Sequence, residues 1–384
     1  MPSGPVSSPG GFSRRTLLNV AAGGLLGGGS RRILGADRAA AVPHVHDQIK
    51  KLAAEAPMSM RFAGGSADEC RAWQQAFASK LSELLGPHDP PARWKTITER
   101  VVELDDHRRE ALVLTADGHP ALPVYLLTPK GTSGAKRPGI LALHGHGLYG
   151  YEPVAGVADT LEKKEHTARL NYDYGLQLVR RGYVVATPCF VPFGRRLDGK
   201  KNYQGNDACA VTAVRMLMLG KVLIAENLRD ARWTLELLSR HSRVDAGRLG
   251  CVGLSYGGRM TMLTTALEPR IRVAVVSGAL NVMQERITHR YSCGAQLIPS
   301  LLKYGDVPEI ASLIAPRPCL WEVGNQDGLM VKEWIPGALT RMRRAYRAFE
   351  AEDQIQVQRF EGGHRWDGVA AYPLLAKVLR PEAG

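Results

Sequence analysis

The sequence predicts an α/β fold, a mostly parallel central sheet with helices on both faces, preceded by antiparallel strands and a helical N-terminal extension. Three observations carry this. Beyond residue 138, apolar runs of strand length alternate with segments of helical spacing, the order that builds a parallel sheet from crossovers. Between 97 and 128 the apolar period falls to two over three consecutive runs. Residues 44–90 carry helical spacing only. With 384 residues, 45% of them hydrophobic and 23% charged, the chain has room and composition for one large globular domain with insertions or for two smaller ones.

In chain order, "SADE" at 66–69 is a capping-box pattern; Trp73, Phe77, Leu81 and Leu84 follow on one helical face, and Gly86 with Pro87 closes the element. "ITERVVEL", "EALVLTA" and "LPVYLLTP" read as three antiparallel strands, with "ADGHP" as a turn. "GILALH" is then a strand, 168–181 a helix, "YVVATP" a strand and 207–240 a helical stretch. "LGCVG" is a strand, Gly258–Leu267 a helix, and "IRVAVVSG" and "PCLWEVG" are strands. A helix near 332–349, the strand "IQVQRF" and a last helix at 368–379 complete the series. The organisation expected is a signal segment over 1–41, the helical extension over 42–96 and a catalytic domain over 97–384.

The first forty residues read as an address. "SRRTLLNVAAGGLLGGGS" sets Arg14 and Arg15 ahead of about fourteen apolar residues diluted by five glycines, too short a run to span a bilayer comfortably. It resembles a twin-arginine export signal, with Leu17 and Leu18 as the hydrophobic pair and cleavage after Ala41, although Arg31 and Arg32 interrupt the approach to that site. The expected location is periplasmic or extracellular, without stable membrane insertion after cleavage. Residues 1–41 carry a net +4 of the formal +13; the rest is spread without a basic block or an aromatic-interleaved basic stretch, so no nucleic-acid partner is expected. The six cysteines, at 70, 189, 209, 251, 293 and 319, include no C-x-x-C pair, and Cys189, Cys251 and Cys319 lie in or beside apolar runs as small buried hydrophobes.

The chemistry centres on "GLSYG", residues 253–257. In a G-x-S-x-G turn between strand and helix the serine stands exposed on a strained backbone, and side chains two positions either side would collide with neighbouring chain. Gly253 and Gly257 are therefore the elbow glycines and Ser255 the candidate nucleophile. A base and an orienting acid should follow at later strand ends, in the order serine, acid, histidine. "EVGNQDG" presents Asp327 after one strand and "FEGGHRWD" presents His364 after the last, with Glu322 and Asp367 as rival acids. The oxyanion donors expected are the amide of Tyr256 and that of His146 or Gly147 in "LALHGHGLYG". His144 and His146 also invite a metal reading, but no third ligand stands at a recognisable spacing, so neither metal nor cofactor is expected.

Residues 97–380 resemble the alpha/beta-hydrolase superfamily, and within it the dienelactone-hydrolase-like and bacterial acetyl xylan esterase-like branch. The segments that carry the resemblance are "HGHG", "VDAGRLGCVGLSYGG", "IRVAVVSGALN", "LIAPRPCLWEVGNQDG" and "EGGH". It implies a serine ester hydrolase working through an acyl-enzyme on a small-molecule or carbohydrate ester, most plainly an acetylated one. Dienelactone hydrolases proper carry cysteine where this chain has Ser255, which argues against that activity. The rival readings are a serine peptidase of prolyl oligopeptidase type and a non-catalytic binding protein on the same fold. Substrate choice is expected to lie in 148–170, 190–208 and 279–310, where Tyr149, Tyr151, Phe190, Phe193, Tyr203 and Tyr291 are candidates for a sugar platform. Oligomeric state is left open.

Overall fold

A computed structural model of the protein describes residues 44–131, 136–289 and 293–380. The twin-arginine segment and its cleavage site lie outside them. From Val45 onward the chain forms one contact unit. Its elements are α1 (Val45–Ala54), α2 (Ala67–Leu85), β1 (Lys95–Glu103), β2 (His107–Ala116), β3 (His119–Pro129), β4 (Arg137–Leu143), α3 (Leu161–Leu170), α4 (Tyr174–Arg180), β5 (Val184–Pro188), α5 (Ala208–Met218), α6 (Leu223–Arg240), β6 (Val244–Leu254) and α7 (Tyr256–Leu267). β7 (Ile271–Ser277), α8 (Met283–His289), α9 (Val307–Ser312), β8 (Cys319–Gly324), α10 (Ile335–Ala348), β9 (Ile355–Phe360) and α11 (Ala371–Leu379) follow.

The nine strands form one sheet in the order β1-β2-β3-β5-β4-β6-β7-β8-β9. β1, β2 and β3 are an antiparallel meander, β3 meets β5 antiparallel, and every pairing from β5 to β9 is parallel. The two-residue period of the strands sorts their side chains into two cores. Leu141, Leu143, Cys251, Ala274, Val276, Trp321 and Val323 face one core with α2, α6, α7, α9 and α10. Ile140, Ala142, Val252, Leu254, Val273, Val275 and Leu320 face the other, with α4 and α11. A strand buried on both faces reads as a near-continuous apolar run, which is why β4, β6, β7 and β8 stand out in the sequence even though β8 includes Glu322.

The helical N-terminal segment belongs to the first of these cores. Ser66 and Glu69 cap α2 reciprocally, and Cys70, Phe77, Leu81 and Leu85 are buried among residues of the sheet and of α10. Four sequence-based helices need correction. The segment 44–90 is broken between α1 and α2, where the amides of Met58, Ser59 and Met60 donate to the carbonyls of Leu302, Lys303 and Tyr304. The helix expected over 168–181 is two helices, because Asn171 takes a left-handed conformation, φ 50°, at the end of α3 and turns Tyr172 into the core. The stretch 207–240 bends by 97° between α5 and α6, with Gly220 at φ 70° in the break. The last helix starts at Ala371, not at 368, since Gly368 sits at φ 81°. Among the described residues no single helix is long and apolar enough to cross a membrane.

Candidate active site

Ser255 stands between β6 and α7 with φ 63° and ψ −122°, a region that side chains other than glycine's rarely enter. Its amide donates to the carbonyl of Ser277 on β7, which holds the turn against the sheet. The flanking glycines are required by contact. A Cβ on Gly257 would lie 1.9 Å from the Leu143 carbonyl oxygen, and one on Gly253 would lie 2.4 Å from that of Gly257. β4, the elbow and the start of α7 therefore pack backbone on backbone.

The loop after β4 lies beside the serine, since a Cβ on Gly145 would come within 3.1 Å of the Ser255 Cβ. Two tyrosines that belong to no motif in the sequence fix this loop. Tyr172 accepts the Gly145 amide at 2.6 Å, and the Tyr174 hydroxyl donates to the Leu143 carbonyl at 2.6 Å. Because the Gly145 amide is thus engaged, any oxyanion donors from the loop must come from the positions after it. The Tyr256 amide is the first N–H of α7, one of those a helix leaves without an internal acceptor.

His144 and His146 part company. His144 is fully buried; its Nε2 accepts the Phe190 amide at 2.9 Å, so Nδ1 carries the proton and donates to the Gly145 carbonyl at 2.7 Å. Burial pushes its pKa down to about 4, which keeps the ring neutral as a latch between the β4 and β5 loops. His146 turns the other way, packing against Phe193 and Tyr256 with ring centroids 5.1 Å from each, and its Nε2 lies 2.7 Å from Cys293 Sγ.

His364 follows β9 and Asp327 follows β8, and the two loops are laced together. The amides of Asn325 and Gln326 donate to the carbonyls of Phe360 and Gly362, and Gly324 packs so tightly on Gly362 and Gly363 that a Cβ would be 2.4 Å from the Gly363 oxygen. This places His364 Nδ1 2.7 Å from Asp327 Oδ2. The carboxylate can only accept, so Nδ1 donates, and in the neutral ring this leaves Nε2 as the acceptor. That Nε2 is buried and has no hydrogen-bond partner among the described residues. The ring also touches Gly278 at the end of β7, where a Cβ would be 2.9 Å from Cε1. Ser255, Gly278, Asp327 and His364 thus gather at the carboxyl ends of neighbouring strands, where open α/β sheets hold their ligands.

The rival carboxylates are engaged elsewhere. Glu322 is fully buried and accepts the Gly368 amide at 2.9 Å and, at 3.4 Å, that of Asp367. Burial lifts its pKa to about 7. Asp367 accepts the Gln358 amide nitrogen at 2.8 Å and the Val369 amide at 3.3 Å. Of the proposed platform aromatics, Tyr151, Phe190, Phe193 and Tyr203 are buried and serve packing, Tyr149 is half-buried, and Tyr291 lies outside the described residues.

No family model matches the chain. Among curated proteins it is 30% identical over 296 residues to "Putative hydrolase YtaP" of Bacillus subtilis (strain 168), across 74% of this chain and 92% of that protein. Among solved structures it superposes on a "putative acetyl xylan esterase" from Bacteroides fragilis NCTC 9343 with a TM-score of 0.71 at 20% identity, covering 83% of each chain. A glucuronoyl esterase from Solibacter usitatus gives a TM-score of 0.59 at 15% identity, covering 82% of this chain and 94% of that one. At such identities these likenesses establish the shared fold.

Proposed function

We infer that this chain, which belongs to the hydrolase family of the Bacillus subtilis protein "Putative hydrolase YtaP", is a serine carboxylic-ester hydrolase that removes short acyl groups, acetyl first among them, from carbohydrate. The observation that carries this reading is the unpaired, buried Nε2 of His364, oriented by Asp327 at 2.7 Å and set at the sheet edge where Ser255 stands on its strained turn. The named activities of the structural relatives, acetyl xylan and glucuronoyl esterases, support a carbohydrate ester as substrate.

In the proposed reaction Ser255 Oγ attacks the ester carbonyl while His364 Nε2 takes its proton. Asp327 keeps the imidazole in the tautomer that can do so and stabilises the imidazolium that results. The amides of Tyr256 and of His146 or Gly147 hold the tetrahedral oxyanion. Collapse expels the alcohol, which receives the proton from His364, and water then releases the acyl group by the same steps in reverse. Export through the twin-arginine route, with Val42 as the new N-terminus, would bring such an enzyme to polymeric carbohydrate. The test is titration with a fluorophosphonate probe followed by a panel of acetylated sugars, feruloyl esters, methyl glucuronates and peptides. Labelling at Ser255 with turnover of acetylated sugars supports the reading; turnover of peptides alone refutes it.

A further inference from the structure

A second cluster lies beside the Ser255 group, and its side chains take no part in the reaction above. His146, Cys209 in the first turn of α5 and Cys293 each offer a ligand atom, and these three atoms lie within 4.8 Å of one another. Cys209 is buried, whereas His146 and Cys293 are half-buried. The arrangement is built by close backbone approach. A Cβ on Gly294 would stand 2.6 Å from Ala213 Cβ and 2.8 Å from the Cys209 carbonyl oxygen, so only glycine lets Cys293 reach α5. The Ala295 amide donates to Cys293 Sγ at 3.3 Å and orients it. Phe193 and Tyr256 wall the His146 ring and aim Nε2 at the sulfur. The other four cysteines are buried and take no part.

Two sulfurs and an imidazole nitrogen, with no carboxylate among them, make a donor set for a soft or borderline d10 cation and a poor one for magnesium or calcium. Around a tetrahedral zinc, with Zn–S about 2.3 Å and Zn–N about 2.0 Å, the ligand atoms stand roughly 3.5–3.8 Å apart. The three atoms lie within 4.8 Å of one another, with His146 and Cys293 at 2.7 Å, so displacements of about 1 Å bring them to those separations, the His146–Cys293 contact opening. Three protein ligands leave a fourth position for water or a substrate oxygen. Cys293 also lines an apolar cavity of about 620 Å³ between α1 and residues 293–303.

We propose that His146, Cys209 and Cys293 form a binding site for a soft d10 cation such as zinc(II), and that filling it slows turnover at Ser255 by drawing His146 towards α5 and displacing the adjoining Gly147 amide. Each sulfur bonds the metal as a thiolate, any proton it still carries passing to solvent, and no oxidant or reductant is needed. The site stands independently of the esterase reading; its effect on turnover rests on that reading. The site is inhibitory, so a chelator leaves turnover unchanged or raises it.

The test uses the full chain, reduced and stripped of metal, titrated anaerobically with cobalt(II) and then zinc(II). One equivalent of cobalt should produce thiolate-to-cobalt charge-transfer absorption that one equivalent of zinc removes. Cys209→Ser should weaken binding by more than about 100-fold, since loss of a ligand exceeds the cost of losing an outer-shell partner. Its metal-free turnover should equal the wild type's, and it should resist zinc concentrations that inhibit the wild type. Cys293→Ser, at a half-buried position, serves the same comparison if the buried substitution unfolds the chain. Absence of the thiolate–cobalt band, equal binding by both variants, or a Cys209–Cys293 disulfide in the protein as isolated would overturn the site. Binding without inhibition would overturn its effect on Ser255. If the metal-free protein turns over no ester, the esterase reading fails while the cobalt spectrum still decides the site.

Discussion

His364 donates from Nδ1 to Oδ2 of Asp327 at 2.7 Å, and the other carboxylate oxygen, Oδ1, accepts the Leu329 amide at 2.8 Å. Both oxygens are engaged, so the carboxylate cannot turn away from the imidazole. Asparagine at 327 can offer its amide nitrogen to Nδ1 and favour the wrong tautomer. Asp327→Asn should therefore lower kcat by up to about 10⁴-fold near neutral pH with the fold intact. Glu322→Gln and Asp367→Asn should cost far less. A crippled Glu322→Gln beside a nearly normal Asp327→Asn would move the acid to β8.

Glu322 has its own signature. Its pKa rises from 4.5 to about 7 because the carboxyl is buried, against the opposing pull of the Gly368 and Asp367 amides. Between those values the native state holds a proton that the unfolded chain has released. The stability this contributes is fully present below about pH 4.5 and is lost as the pH rises through 7. Glu322→Gln cannot ionise, so the variant's Tm relative to wild type should improve from pH 5 to pH 8. A difference that is flat, or that runs the other way, contradicts a raised carboxyl.

The elbow glycines separate folding from chemistry. Because a Cβ at 257 would lie 1.9 Å from a backbone oxygen that the sheet holds in place, Gly257→Ala should destabilise the protein by about 3 kcal/mol or more. Denaturant titration of Gly257→Ala and Ser255→Ala side by side checks this. Equal midpoints would mean that the β4–α7 approach is looser than described.

Export has a separate readout. Changing Arg14 and Arg15 together to lysine should keep the protein inside the cell, because the twin-arginine route reads that pair. Mass spectrometry of wild-type protein outside should find an N-terminus near Val42. Undiminished export of the double variant contradicts the route.

Most of the architecture was legible because its causes are local. β4 and β6–β8 are each mainly apolar over their buried stretch, Glu322 on β8 excepted, and the capping box of α2 lies within four residues. The glycines around Ser255 fall in one five-residue motif, although the Leu143 carbonyl that demands Gly257 comes from β4. What escaped depends on partners distant in sequence. Asp327 and His364 could be ordered along the chain, yet their pairing comes from the lacing of two loops at Gly324, Gly362 and Gly363. Asn171 can continue a helix or end one, and only the need of the Gly145 amide for the Tyr172 hydroxyl shows why the chain turns there. Aromatic residues in the inserted segments carry no mark that separates a sugar platform from packing, and four of the six are core. The meeting of Cys209, Cys293 and His146 left no spacing to read, since it depends on Gly294 closing against α5.

The most direct test of the central claim is kcat on an acetylated sugar for wild type and Ser255→Ala, with circular dichroism and a denaturant midpoint establishing that the variant is folded. In the proposed mechanism Ser255 acts together with His364 and Asp327, so its removal should cost about 10⁴-fold or more. The fluorophosphonate adduct should appear on Ser255 in the wild type and be absent from the variant. A folded Ser255→Ala protein that keeps turnover within tenfold of wild type would contradict the account.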